Sequence, residues 1–361
     1  MECTTSGLNS FNRDNILNKS RNIFISYNKL YNESFENNII EIKKGMSKMY
    51  EKGVKKAEKL YKKANKNDNT NDMYLHNEQE IKYEFEQFYN DNFLSVVHDT
   101  KNSLYNTWKN TPLSDLGNKS VNEFFNDIND LDLLIEILRI AAIECDSDIP
   151  DILFKKVYSF GEQAVDKIIN SMLDIALLSS YEDSFFVPLL AIKILGEWKA
   201  EKAIKPIINF IVKLHDTNEQ NLIDKKLGQL EQIEQLELFG EAISKALISI
   251  GNASISPLVD ILASTKDYYE YHEYLAMALS IIGKDNKSDN IYRSLKKMFI
   301  NYNDKIVISE CLGKYGDGRA IPSLRGYLDK NINDIDKDTL YTIKVAVENL
   351  GGSIDDILQK Y

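Results

Sequence analysis

Apolar residues recur at three- and four-residue spacing along most of the chain, as in Ile204, Ile207, Ile208, Ile211 and Val212. That spacing places them on one face of a 3.6-residue helix, and no alternating apolar–polar run is long enough to argue for a sheet. The pattern therefore predicts an all-α protein. Near the N-terminus, Ile16, Ile23, Tyr27, Leu30 and Tyr31 mark one helix, and Ile39, Ile42, Met46, Met49, Ala57, Leu60 and Ala64 mark a second. A third is expected from Tyr74 to His98, with Ile81, Phe85, Phe88 and Tyr89 on its apolar side. Ser120 and Glu123 have the spacing of a capping box for a helix starting there. Helical hairpins then begin with Leu131–Cys145 and continue to Tyr361.

Within that last stretch one frame repeats. An apolar marker is followed four positions later by Gly, then by a small residue and a second apolar run. Val157 precedes Gly161 in this way, Leu247 precedes Gly251, Leu279 precedes Gly283, Leu312 precedes Gly316 and Val347 precedes Gly351. Leu195-Gly196 is a sixth copy with the glycine displaced. The steps between markers are 38, 52, 32, 33 and 35 residues. A period of that size has room for two helices and two turns, and one such hairpin cannot bury its apolar face without a neighbour. Glycine after the first helix supplies a left-handed residue without Cβ strain. Pro257 and Pro322 fall in the first turn of the second helix, where a missing N–H costs nothing. Ala246, Ala278, Cys311 and Ala346 share the position before the marker, as small residues would where helices cross closely.

The run Leu312-Gly313-Lys314-Tyr315-Gly316-Asp317-Gly318-Arg319-Ala320-Ile321-Pro322-Ser323-Leu324 resembles the HEAT-like repeats of the phycobilisome-lyase type, common in bacterial proteins. The resemblance covers roughly residues 150–361. It implies an α-solenoid of about six HEAT-like hairpins, a class that includes scaffolds, bilin lyases and activators. Trp108, Thr111-Pro112 and Leu116-Gly117-Asn118-Lys119-Ser120 are similar to a turn in bacterial proteins that carry a SEC-C metal-binding module. The module's cysteine cluster is absent, so the turn implies no metal.

The expected organisation is an N-terminal helical region over 1–130, acting as a cap or lobe, followed by the solenoid over 131–361. The N-terminal region has a loose tail at 1–10 and a flexible Asn/Asp-rich loop at 65–73. The 52-residue step locates an insertion near 216–238, with Leu222, Leu227, Leu230, Ile233, Leu236 and Leu238 among Gln, Glu and Lys. It is a lengthened amphipathic helix on one reading and a partner-binding element on the other.

Composition narrows the function classes. The net charge is −11, which opposes nucleic acid as a default partner, although Lys202 and Lys205 are locally basic. Cys3, Cys145 and Cys311 are odd in number and far apart, so neither a disulfide framework nor a zinc site is expected. With no signal-like or membrane-spanning run, a cytoplasmic location is expected. Residues 43–66 carry ten lysines against Glu51 and Glu58. They form either a solvated helix face or a basic helix for peripheral contact with an acidic partner.

No nucleophile elbow, Walker loop, dinucleotide fingerprint or His-Glu-x-x-His motif is present, so neither an enzyme nor a cofactor is expected. The four histidines, His76, His98, His215 and His272, are scattered, which argues against a metal site. The segment Tyr268-Tyr269-Glu270-Tyr271-His272-Glu273-Tyr274 is unusual, with four tyrosines in two helical turns. Tyr269 and Tyr271 are accordingly candidates for partner binding, with helix packing as the competing role. Asp317 and Arg319 are expected to pair across a turn. In solenoids the second helices line the concave side, so Lys205, Arg319, Arg325 and Tyr327 are the remaining candidates. The function these observations favour is a protein-interaction scaffold with an unidentified protein partner. A nucleic-acid-binding repeat protein and a lyase-like enzyme are the alternatives.

Overall fold

The computed structural model describes residues 10–29, 44, 55, 99–100, 102–145, 149–179, 185–224 and 229–359. Among these the chain is helical apart from one short antiparallel pairing, Pro112–Leu113 (β1) with Lys119–Ser120 (β2). The expected tail 1–10, basic segment 43–66, loop 65–73 and helix 74–98 lie outside the described residues, except for Ser10, Lys44 and Lys55. The chain divides into two compact units, Met1–Ser159 and Phe160–Tyr361.

In the first unit, Ser10–Lys29 (α1) packs on Leu131–Glu144 (α3). Ile23, Phe24 and Tyr27 of α1 and Leu133, Leu134, Ile137 and Leu138 of α3 are all buried. Arg13 holds Glu136 through two hydrogen bonds of 3.1 and 2.6 Å, and Arg21 reaches Glu144 at 2.8 Å. This packing is why the unit extends past residue 130, where the sequence pattern placed the division. Asp151–Tyr158 (α4) packs on α3 and on Val121–Asn126 (α2). The turn between β1 and β2 closes through Gly117, left-handed at φ 69°. Ser120 and Glu123 then form the capping box of α2: the Glu123 N–H donates to Ser120 Oγ, and the Ser120 N–H donates to Glu123 Oε2.

The second unit runs Glu162–Met172 (α5), Phe186–Glu197 (α6), Ile204–Asp224 (α7), Gln229–Ile250 (α8), Ile255–Ser264 (α9) and Tyr271–Gly283 (α10). It continues with Asp289–Asn301 (α11), Ile306–Tyr315 (α12), Ile321–Asn331 (α13), Lys337–Asn349 (α14) and Asp355–Leu358 (α15). Alternate helices form a row in which α6 packs on α8, α8 on α10, α10 on α12 and α12 on α14. The core of that row includes Leu195, Leu247, Leu279, Leu312 and Val347, the repeat markers themselves, all essentially inaccessible. Beside it, α9 packs on α11. The insertion lengthens two helices at once, with α7 reaching Asp224 and α8 starting at Gln229.

The glycines of the frame have two different jobs. Gly161, Gly251, Gly316 and Gly351 all have positive φ, between 57° and 87°, and stand at helix boundaries. Gly196 is different. It lies inside α6, and the left-handed residue that turns the chain is Lys199 at φ 52°. A Cβ on Gly196 would sit 2.7 Å from Ala246 Cα, so this glycine lets α6 and α8 approach. Gly313 plays the same part against Ala346 across α12 and α14, with 3.1 Å to its Cα. The small-residue position in the sequence frame is thus a helix-crossing point at Ala246 and Ala346.

Candidate functional site

Several chemistry-bearing side chains of the second unit gather around the turn from Thr265 to Glu270 and the first turns of α10. The turn is shaped by α9 needing partners for its last carbonyls. The Thr265 hydroxyl donates to Ile261 O at 2.7 Å, and the Tyr268 hydroxyl donates to Leu262 O at 2.8 Å. Lys297 of α11 donates to Ala263 O and Thr265 O, each at 2.7 Å. The chain then re-enters helix with the His272 N–H donating to Tyr269 O at 3.0 Å.

His272 is 1% exposed, and both ring nitrogens are engaged. The Tyr269 N–H donates to Nδ1 at 3.0 Å, while Nε2 lies 3.2 Å from Thr265 Oγ1. Thr265's single hydroxyl proton is directed to Ile261, so Oγ1 accepts from Nε2–H. The ring is therefore the neutral Nε2–H tautomer. Burial pushes its pKa down to about 4, and the nearby His215 acts in the same direction.

Around it, rings stack. Tyr271 and His272 have centroids 4.0 Å apart, and His215 of α7 lies 4.4 Å from Tyr269 and 5.2 Å from Tyr271. Tyr271 is buried at 7% exposure, whereas Tyr269 presents 46% of its surface to solvent. The two tyrosine candidates therefore divide, Tyr271 packing and Tyr269 facing out. Tyr274 lies flat on α8, where a Cβ on Gly240 would come within 2.3 Å of its ring.

Carboxylates border the rings. Burial raises the pKa of Glu270, and Glu237 of α8 raises it further. Burial also raises that of Glu273, opposed by a 2.8 Å hydrogen bond from the Tyr302 hydroxyl. Tyr268, Tyr271 and Tyr274 are each pushed up to about 12, chiefly by burial. One repeat further on, Lys305 is buried and donates to Phe299 O at 2.7 Å and to Tyr302 O. Burial lowers its pKa.

The other candidates lie elsewhere. Lys205 is exposed on α7. Arg319 bonds Asp317 at 2.7 Å, as the sequence pairing predicted, and reaches Asp289 at 2.6 Å. Its guanidinium also lies 4.4 Å from the Tyr292 ring centroid. Arg325 bonds Asp356 at 2.6 Å and donates to Ser353 O. Tyr327 is half-buried, edge-on to Phe299 at 5.7 Å, with the Lys305 ammonium over its ring. Arg319 and Arg325 thus tie together segments 30 and 31 residues apart within the unit, and Lys202 pairs with Glu162 at 2.8 Å.

Glu237, Tyr302 and Lys305 were not singled out from sequence. Tyr302 had a signal: it stands 34 residues after Tyr268, one repeat on, in the equivalent turn. Glu237 had none, because its proximity to Glu270 depends on how α8 and α10 pack.

In the first unit, a cavity of about 620 Å³ is lined by Ile16, Phe124, Ile128 and Leu133, with Lys119, Asp127, Asn129 and Asp130 at its polar side. Those polar groups already bond within the unit. Asp130 caps α3 through the Leu133 N–H, and Lys119 pairs with Asp127 at 2.5 Å. Among the described residues, no group of three or more His, Cys, Asp or Glu is placed to hold a metal ion. No single described helix is long and apolar enough to cross a membrane. Comparison with family models, with curated proteins and with solved structures finds no match.

Proposed function

We propose that the second unit, Phe160–Tyr361, is a stack of HEAT-like hairpins that serves as a protein-interaction scaffold. The repeated frame and the chain-order packing of α6, α8, α10, α12 and α14 support that reading. The partner engages the acidic, aromatic edge around Tyr269, and its matching segment is rich in Lys and Arg. The carrying observation is the exposed Tyr269 ring braced by His215, with Glu270 and Glu237 next to each other at its border. A tyrosine face attracts cations through its quadrupole, and a cation relieves the repulsion between neighbouring carboxylates. Arg319 and Arg325, in contrast, already carry internal ion pairs.

The test compares two double variants of the full chain. One is Tyr269→Ala with Glu270→Lys; the other is Arg325→Glu with Tyr327→Ala. A panel of fluorescent Lys/Arg-rich peptides is titrated by anisotropy, with thermal melting as the folding control. The first variant is expected to weaken binding at least tenfold, a loss of about 1.4 kcal/mol. Loss confined to the second variant would instead place recognition on the second helices. No peptide binding to the wild-type chain would remove the basic-partner reading.

A further inference from the structure

We propose that His272 is an acid-sensitive latch on the Thr265–Tyr271 turn, holding Tyr269 in place when neutral and releasing it when protonated. The geometry requires the neutral ring. Nδ1 accepts the Tyr269 N–H at 3.0 Å, and Nε2–H donates to a Thr265 hydroxyl whose own proton is committed to Ile261. Adding a proton at Nδ1 turns an acceptor into a donor facing the Tyr269 N–H. The Tyr269 carbonyl, 3.2 Å from Nδ1, can accept from the protonated ring beside the His272 N–H it already takes at 3.0 Å, which offsets burial only in part.

The surroundings oppose a charged ring. His215 faces it from α7 across Tyr271, and the Lys297 ammonium from α11 is fixed on Thr265 O. Glu273 is the adjacent carboxylate on α10, but its oxygen is held by Tyr302 and its burial favours the neutral acid. Glu270 is on the turn itself, and its burial, with Glu237 of α8 nearby, raises the cost of ionising it. Tyr268 and Tyr271 stay neutral below pH 10. The ring titrates at about 4 when latched, against 6.5 when free. Opening therefore becomes about tenfold more favourable per pH unit across that window, roughly 300-fold in all.

The experiment is hydrogen exchange of the full chain at pH 7, 6, 5 and 4.5, corrected for intrinsic rates, with amides 269–275 compared against 308–315. It needs no partner, so its outcome is independent of the binding proposal. The expected result is an opening constant for 269–275 that rises about tenfold per unit below pH 6.5 while 308–315 stays protected. The His272→Gln variant should flatten this to under threefold, and His215→Gln should leave the slope in place. A wild-type opening constant unchanged to pH 4.5, an unchanged slope in His272→Gln, or parallel loss of protection in 308–315 would each overturn the latch. If His272→Gln does not fold, NMR of the wild-type imidazole decides. A midpoint below about 5 with the Nε2–H tautomer supports the proposal, and a midpoint above 6 refutes it.

Discussion

Replacing Gly196 by Ala puts one methyl group where α6 crosses α8, and its cost can be worked from two distances. The new Cβ would lie 2.7 Å from Ala246 Cα and 2.8 Å from Ala246 Cβ. Carbon atoms in contact settle at about 3.5–4.0 Å, so the helices must separate by close to ~1 Å. The obstacle is backbone and a methyl group, neither of which can rotate away. Overpacking a filled core costs about 1–3 kcal/mol. Against this, Ala in a helix interior gains about 1 kcal/mol over Gly. A 2.7 Å clash with backbone puts the strain in the upper half of that range, so the net expectation is a loss of about 1–2 kcal/mol, falling on the row of helices that carries the core. Gly313→Ala is the internal control. Its Cβ would meet Ala346 Cα at 3.1 Å, which a shift of a few tenths of an ångström relieves. Strain and propensity then offset to within about 0.5 kcal/mol. Urea unfolding of the full chain, followed by circular dichroism, reads both. A Gly196→Ala protein as stable as wild type, or Gly313→Ala as the worse of the pair, would refute the crossing argument.

The Tyr274 ring lies where a Cβ on Gly240 would fall, so Gly240→Ala should destabilise the chain, and Tyr274→Ala should cost less in that background than alone. A double-mutant cycle showing simple additivity would remove the contact from the account. At alkaline pH, Tyr268, Tyr271 and Tyr274 keep their protons to about 12 in the folded chain, above the ordinary 10. A raised folded pKa means more bound protons in the native state, so stability is complete below pH 10 and falls as pH rises towards 12. Absorbance at the tyrosinate band should show these residues ionising late, together with unfolding. Early ionisation of every tyrosine in a still-helical protein would contradict the burial of these rings.

What the sequence determined by itself was local. Apolar spacing is enough to specify helices, and a left-handed residue after a helix all but requires glycine. Gly251 and Gly316 could therefore be placed at boundaries from the frame alone. The capping box at Ser120 and Glu123 and the Asp317–Arg319 pair are equally local, each closed within three residues. The tertiary structure decided whatever depended on a neighbour far along the chain. Gly196 stands one position after its marker instead of four, and its role is set by Ala246 on another helix. The first unit runs on to Ser159 because α3 finds α1, a contact that periodicity cannot foresee. His215 appeared isolated in sequence until the packing of α7 near the start of α10 brought its ring onto Tyr269. Arg319 and Arg325 carried the right chemistry for recognition, and only the positions of Asp289 and Asp356 revealed that their charges are bound internally. A short-range pattern encodes backbone conformation; which side chains stay exposed depends on helix crossings whose partners are a whole repeat away.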